Sequence, residues 1–433
     1  MLLAYALPAT PLALLGLPLY VYLPSYYAGE RGLGLAAVGL VLLLARLWDV
    51  VADPLVGIAS DRFELRFGRR RPWLIAALPL LLLAVAMLFW PAEGSGLAYL
   101  LIWTMALYLA WTMLQLPYSA WGAELSEDYH ERTRIAGVRE AAAILGTVLA
   151  ASLPLFLAGN GDQGQALAAL GRAILLLMPV TVVIAVAAVP EPARRLKERL
   201  GFRSGVAALL RNHPLRRLIA AYLLNGIANA LPATLVLLFI EHRLQARDWS
   251  GVLLLAYFLS GIAAVPLWLR LSRHLGKHRT WCVAMLWNVA IFALVPLLGA
   301  GDAWWFLLIC IATGACLGAD LTLPSAMWAD VVDFDAAETG SERAGLFFAL
   351  WGMATKLALA LAVGIAFPLL DLAGFSTARG ASPTGLWALV LLYSLVPVGF
   401  KLGAIGLLWG FEIGPAEQTQ LRRRIESMAK RPG

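Results

Sequence analysis

The sequence predicts an all-α membrane protein, with about twelve transmembrane helices in two six-helix bundles. Three observations predict this class. Of the 433 residues, 61% are hydrophobic and only 14% charged, and the mean hydropathy is +0.76; no soluble domain buries that much apolar surface, so lipid is the solvent. Apolar segments of spanning length recur along nearly the whole chain, leaving no stretch for a sizeable soluble domain. The two halves also echo each other. Gly68-Arg-Arg-Arg-Pro-Trp73 reappears as Gly276-Lys-His-Arg-Thr-Trp281, and Pro117, Trp121 and Glu124 reappear as Pro324, Trp328 and Asp330. Matched motifs in one order at one offset indicate a duplicated bundle, as in many secondary transporters.

The first span runs from about Ala4 to Tyr27 and carries Tyr20, Tyr22 and Tyr26. The second covers Leu33 to Ser60, the third Leu74 to Trp90, the fourth Leu97 to about Glu124, the fifth about Ile135 to Leu157 and the sixth Ala173 to Val189. Six more are expected near 218–241, 250–269, 281–299, 304–332, 345–370 and 386–411. The expected organisation is a bundle over 1–190, a basic connector over 191–217, a second bundle over 218–411 and a polar tail over 412–433.

Charge sets the expected orientation. The net charge of +7 comes from Arg and Lys crowded into the 2–3, 6–7 and 8–9 loops and the tail, while the opposite loops hold only scattered ones such as Arg31, Arg243 and Arg379. A positive-inside bias accounts for this better than nucleic-acid binding and places both termini in the cytoplasm, in an inner or plasma membrane. The N-terminus lacks a basic region before its apolar run, so Met1 onward reads as a first span and not a cleaved signal. The three cysteines lie in apolar segments, with neither disulfide nor metal spacing.

The second span carries the chemistry. Arg46, Asp49 and Asp53 lie three and four residues apart and share one helical face. Counted back from Asp61, Asp53 stands roughly 12 Å and Asp49 roughly 18 Å into a layer about 30 Å thick. A charge at that depth costs about 2.5–3.5 kcal/mol on insertion scales and requires a partner, water or an ion. Two carboxylates with one arginine therefore read as an ion or proton site.

The motifs DxxxDP on span two, SDRxxxxxGRRRPW after it, PYxAWxAE and ERTR around span four, and ADVVDFD…ER with a lysine in span eleven resemble the glycoside–pentoside–hexuronide:cation symporters, which include the melibiose permeases. The resemblance covers essentially the whole chain. It implies a major facilitator fold and cation-coupled symport of a sugar or glycoside by alternating access.

Position by position, the resemblance makes Asp49 and Asp53 the cation-site carboxylates, with a hydroxyl from Thr112. Ala52 stands where sodium-coupled members often present an amide. Losing an oxygen ligand weakens a Na⁺ shell and leaves a proton unaffected, so H⁺ is favoured over Na⁺. Lys356 matches the buried lysine of span eleven, and Arg139 an arginine near the sugar site. Ala13 and Gln115 fall where sugar transporters place carboxylates, so the grip on a glycosyl unit has moved; Asp320 in span ten is a candidate replacement or a partner of Lys356. Tyr118, Trp121, Trp328 and Trp351 are candidate stacking platforms.

Arg46, Arg62, Arg69, Arg70 and Arg71 are expected to couple or gate the cytoplasmic end by pairing with Glu124 and Glu127, and Asp330, Asp333 and Arg343 to do the same in the other half. The alternative substrate is a lysolipid or other amphiphile, carried by a branch of the same family. An enzyme is not expected: the five histidines sit in loops or at span ends, with no nucleophile, metal cluster or phosphate-binding loop beside them. The implied partners are a small molecule and the bilayer, with no cofactor beyond the coupling ion, and a monomer suffices.

Overall fold

The computed structural model of the chain describes residues 1–62, 68–125, 129–157, 162–191, 212–339, 344–375 and 382–411. Its regular elements are helices, and twelve are long and apolar enough to cross a membrane. In chain order they are α1 Leu2–Glu30, α2 Leu35–Gly57, α3 Arg71–Phe89, α4 Leu97–Gly122, α5 Gly137–Phe156, α6 Gln163–Ala188, α7 His213–Arg243, α8 Arg247–Leu275, α9 Lys277–Leu297, α10 Ala303–Asp335, α11 Leu350–Leu372 and α12 Pro383–Leu408. The count matches the expectation, and the ends differ by a few residues. Most of the basic connector and all of the tail after 411 lie outside the described residues.

These segments form helices because hydrocarbon offers the backbone no partner, so each must satisfy its own N–H and C=O groups. Leu40, Leu44, Val51 and Leu55 are exposed along α2, a pattern that suits lipid and not water. Internal prolines, Pro54, Pro117, Pro154, Pro232, Pro324 and Pro368 among them, each remove a donor, which neighbouring helices and local adjustment offset. In α1 the adjustment is visible. Its α-helix gives way to single π turns at Pro18–Tyr22 and Tyr26–Glu30, the first of which carries Tyr20.

The chain forms two compact units. One comprises Met1–Arg195 with Ala233–Leu255 and Ala360–Leu389; the other comprises Leu196–Pro232, Ala256–Leu359 and Val390–Gly433. The ends of α7, α8, α11 and α12 thus join the unit built on the first half. Small residues explain part of this: a Cβ at Gly39 would overlap Phe367, and one at Gly364 would overlap Leu43, so α2 and α11 approach closely. Charge explains another part, since Arg247 reaches Glu30 at 3.1 Å and Glu241 at 3.6 Å. Within this unit α1 packs on α5, α2 and α3 on α4, and α3 on α6. In the other unit α9 packs on α10 and α12 around Trp281, Trp328 and Phe347.

Candidate functional site

The acidic stripe of α2, with Asp49 buried and Asp53 half-buried, is bridged to α4. Asp49 is 2% exposed and Arg46 5% exposed. Thr112 Oγ1 lies 3.1 Å from Asp49 Oδ1 and 2.8 Å from Asp53 Oδ1. One hydroxyl carries one proton and can donate to only one of two carboxylates. The second short contact is favourable when the other carboxyl is protonated, or when a cation lies among the three oxygens. Arg46 Nη1 meets Asp49 Oδ2 at 3.3 Å, and its guanidinium lies over the rings of Tyr108 (4.1 Å) and Tyr20 (4.7 Å). Among the described residues Arg46 Nη2 has no hydrogen-bond partner, and the aromatic faces of Tyr108 and Tyr20 lie against the guanidinium. Buried Ala52, between the carboxylates in sequence, adds no ligand. Sequence reading missed Tyr108, although an aromatic in α4 facing a buried arginine is a natural partner.

In the same unit a cavity of about 290 Å³ opens among α1, α4 and α5, lined by Ala9, Leu12, Ala13, Trp111, Gln115, Tyr118, Arg139, Glu140 and Ala143. It brings together four positions singled out in the sequence: Ala13, Gln115, Tyr118 and Arg139. Trp111 and Glu140 are additions. Gln115 Nε2 reaches Ser119 Oγ only at 3.4 Å, a long bond that leaves the amide available to the cavity. Arg139 Nη2 donates to Glu140 Oε1 at 2.6 Å. Tyr118 stacks on Tyr5 at 4.8 Å and donates its hydroxyl to the Tyr5 carbonyl at 2.6 Å, so it forms a wall and has no free polar handle. Trp121 departs from the expectation. It is fully buried, its Nε1 donates to the Pro190 carbonyl at 2.9 Å, and it does not line the cavity; its ring is spent on packing.

At the basic end of this unit, Gly68 (φ +108°) turns the chain so that the backbone N–H groups of Arg69 and Arg70 both donate to Glu191 Oε1, at 2.6 and 2.5 Å. A side chain at Gly68 would overlap Glu191, so the turn requires glycine. Arg69 and Arg70 also donate to Glu124 at 2.5 and 2.6 Å, and Arg71 donates to the Val189 carbonyl at 2.5 Å. Burial alone pushes the Glu124 carboxyl up, but hydrogen bonds and charge from Arg70 and Arg69 outweigh it and hold it below its ordinary value. The Arg69/Arg70–Glu124 pairing matches the sequence expectation, while Glu191 was missed. In the other unit Lys277 Nζ meets Asp330 at 2.6 Å. Asp333 is half-buried. Glu127 and Arg343 lie outside the described residues, as does the side chain of Arg62.

Asp320 occupies a different setting. Asn225 and Asn229 donate to its two oxygens at 3.0 and 2.9 Å, Trp281 Nε1 donates at 2.6 Å, and Lys401 Nζ stands 3.7 Å away. Lys401, 2% exposed, also donates to Asn225 Oδ1 at 2.8 Å. The cationic partner of Asp320 is therefore Lys401, where the sequence had suggested Lys356. Three hydrogen-bond donors and a neighbouring ammonium thus occupy this carboxylate, which makes it a structural element of the unit. Lys356 is half-buried on α11 of the same unit. Trp328 and Trp351 pack at 5.1 Å, and Trp351 meets Tyr222 at 5.2 Å. Among the described residues no group of His, Cys, Asp and Glu is arranged to hold a metal ion.

A family model described as MFS/sugar transport protein matches residues 4–414. The chain is 27% identical to an uncharacterized symporter, YnaJ, of Bacillus subtilis, covering 94% of this chain and 90% of that protein. It is 24% identical to the glucuronide carrier protein homolog of Escherichia coli (95% and 92% covered). It is 25% identical to human sodium-dependent lysophosphatidylcholine symporter 1 (90% and 78% covered). Among solved structures, the nucleoside transporter NupG superposes with a TM-score of 0.72 at 12% identity, covering 94% of this chain and 99% of that one, a likeness of fold.

Proposed function

The chain belongs to the MFS/sugar transport protein family, a family of transporters and not enzymes, and is a multi-pass membrane cation symporter; on that premise we propose that it carries a sugar or glycoside together with a proton. The observation that carries the proposal is one hydroxyl, Thr112 Oγ1, set within hydrogen-bond distance of two intramembrane carboxylates. That arrangement is completed by a single positive charge. A proton suffices, and the three oxygens, with Ala52 contributing none, make a thin shell for Na⁺. Binding the cation neutralises the pair and favours loading of the α1/α4/α5 cavity. The loaded protein then exposes the site to the other side by rocking about its pseudo-symmetric halves. The basic loops support an orientation with both termini in the cytoplasm.

The cavity supports a sugar over an amphiphile, because its amide, guanidinium and carboxylate match hydroxyls, and its volume suits a compact polar group. The test is cation uptake by reconstituted vesicles challenged with glycosides and with lysolipids, with and without Na⁺. Alkalinisation outside the vesicles on adding a glycoside, lost in Asp49→Asn and Asp53→Asn, is the expected result. Ion-driven accumulation preserved in both variants refutes the assigned site, and a response to lysolipids alone refutes the substrate.

A further inference from the structure

The cavity contains a carboxylate that the family resemblance did not assign. We infer that Glu140 is the acceptor for substrate hydroxyls, and that its pairing with Arg139 selects an uncharged glycoside over a uronide. The inference rests on the sugar reading above and deepens it.

Adjacent residues on a helix point about 100° apart and do not ordinarily meet. Arg139 and Glu140 nevertheless pair at 2.6 Å and both line the cavity. The Glu140 side chain is 62% exposed, against 27% for Arg139. The guanidinium takes Oε1, which leaves Oε2 to accept from a ligand. Ala13, which the family resemblance places where sugar-transporting members present a carboxylate, lines the same cavity and accepts nothing. Glu140 thus returns from α5 the acceptor missing on α1.

Beside it stand the remaining N–H groups of Arg139 and the amide of Gln115, which can donate to ring and hydroxyl oxygens, and the Trp111 ring, a face for the apolar side of a sugar. The charge is equally specific. One guanidinium and one carboxylate leave the polar wall neutral, so an anionic sugar must compete with Glu140 for Arg139 and then leave that carboxylate beside its own. A neutral polyol needs no such exchange.

The test is binding of p-nitrophenyl β-galactoside, β-glucoside and β-glucuronide, and of lysophosphatidylcholine, to the purified full chain. The proteins compared are the wild type, Glu140→Gln and the double variant Ala13→Asp/Glu140→Gln. The side chain is largely exposed, and thermal unfolding of each variant confirms folding. Wild type is expected to favour a neutral glycoside. Glu140→Gln should weaken that binding by roughly tenfold to a hundredfold, the loss of a hydrogen bond to a charged group, and should strengthen glucuronide binding. Aspartate at position 13 should restore neutral-glycoside binding. A wild type that binds neutral glycosides, with Glu140→Gln leaving affinity and preference unchanged, overturns the role of Glu140 and leaves the sugar reading standing. Wild-type preference for the glucuronide likewise overturns this inference alone. Binding of lysophosphatidylcholine with no binding of any glycoside overturns both.

Discussion

Replacing Thr112 by valine keeps the volume of the side chain and removes the one atom that touches both carboxylates. With the cation bound, the hydroxyl makes two favourable contacts, at 3.1 Å to Asp49 and 2.8 Å to Asp53; without it, only one of them can be a hydrogen bond. The variant therefore loses about one hydrogen bond to a charged group from the bound state relative to the empty one, about 1.5–3 kcal/mol. Apparent affinity for the coupling cation should fall roughly tenfold to a hundredfold. If the ion is a proton, half-maximal uptake moves down by about one to two pH units. If it is Na⁺, the half-saturating Na⁺ concentration rises by the same factor and the pH profile stays in place. Initial uptake rates in vesicles, measured across pH at fixed Na⁺ and across Na⁺ at fixed pH, separate the two cases. Thr112→Ser retains the hydroxyl and should remain close to wild type. Unchanged dependence on both ions in Thr112→Val refutes the reasoning, because no bridged site can lose its bridge without cost.

Two other expectations concern the remaining charge clusters. Glu124, lowered in pKa by Arg70 and Arg69, contributes its stabilisation fully above the ordinary carboxylate range and loses it only as pH falls through that lowered value. A cysteine placed at Ser60, buried beneath Arg70 Nη1 (3.3 Å), should thus stay shielded from a membrane-impermeant maleimide between pH 7 and 5 and become labelled at every pH in Glu124→Gln; equal labelling of both proteins would disprove the gate. Around Asp320, Asp320→Asn or Lys401→Met alone leaves an uncompensated buried charge and should cost about 3–5 kcal/mol, seen as a lowered Tm in detergent, while the double variant recovers most of it. Retained stability in either single variant would show that the pair is not a fixed structural element.

Much of the architecture is legible in the sequence because the bilayer imposes it. Twenty or so apolar residues must form a helix that satisfies its own backbone, so the number and order of spans follow from hydropathy alone. Asp49 and Asp53 were legible for the same reason, since an intramembrane charge demands an explanation. Lys401 carried that signal too, standing alone in the apolar run of α12, yet its partner could not be read: Asn225 lies 176 residues away. Glu140 was hidden by its neighbour, because an Arg-Glu dipeptide near a span end resembles an interfacial charge pair until the cavity beside it is seen. In the sequence the Trp121 indole reads alike as packing or platform; the structure buries it and bonds its Nε1 to the Pro190 carbonyl.

The sequence by itself determined twelve apolar spans, the duplicated pattern and the acidic stripe of α2. Each of these depends on residues close in the chain and on the solvent. Tertiary structure alone decided which group meets the turn at Arg69, Glu191 from 122 residues away, and which cation stands beside Asp320, Lys401; it also placed Thr112, a candidate from the resemblance, within reach of both Asp49 and Asp53. The physical reason is that desolvation at one residue fixes only the need for a partner. Which partner meets that need is set by packing between helices, where side chains distant in sequence come within hydrogen-bond or ion-pair distance.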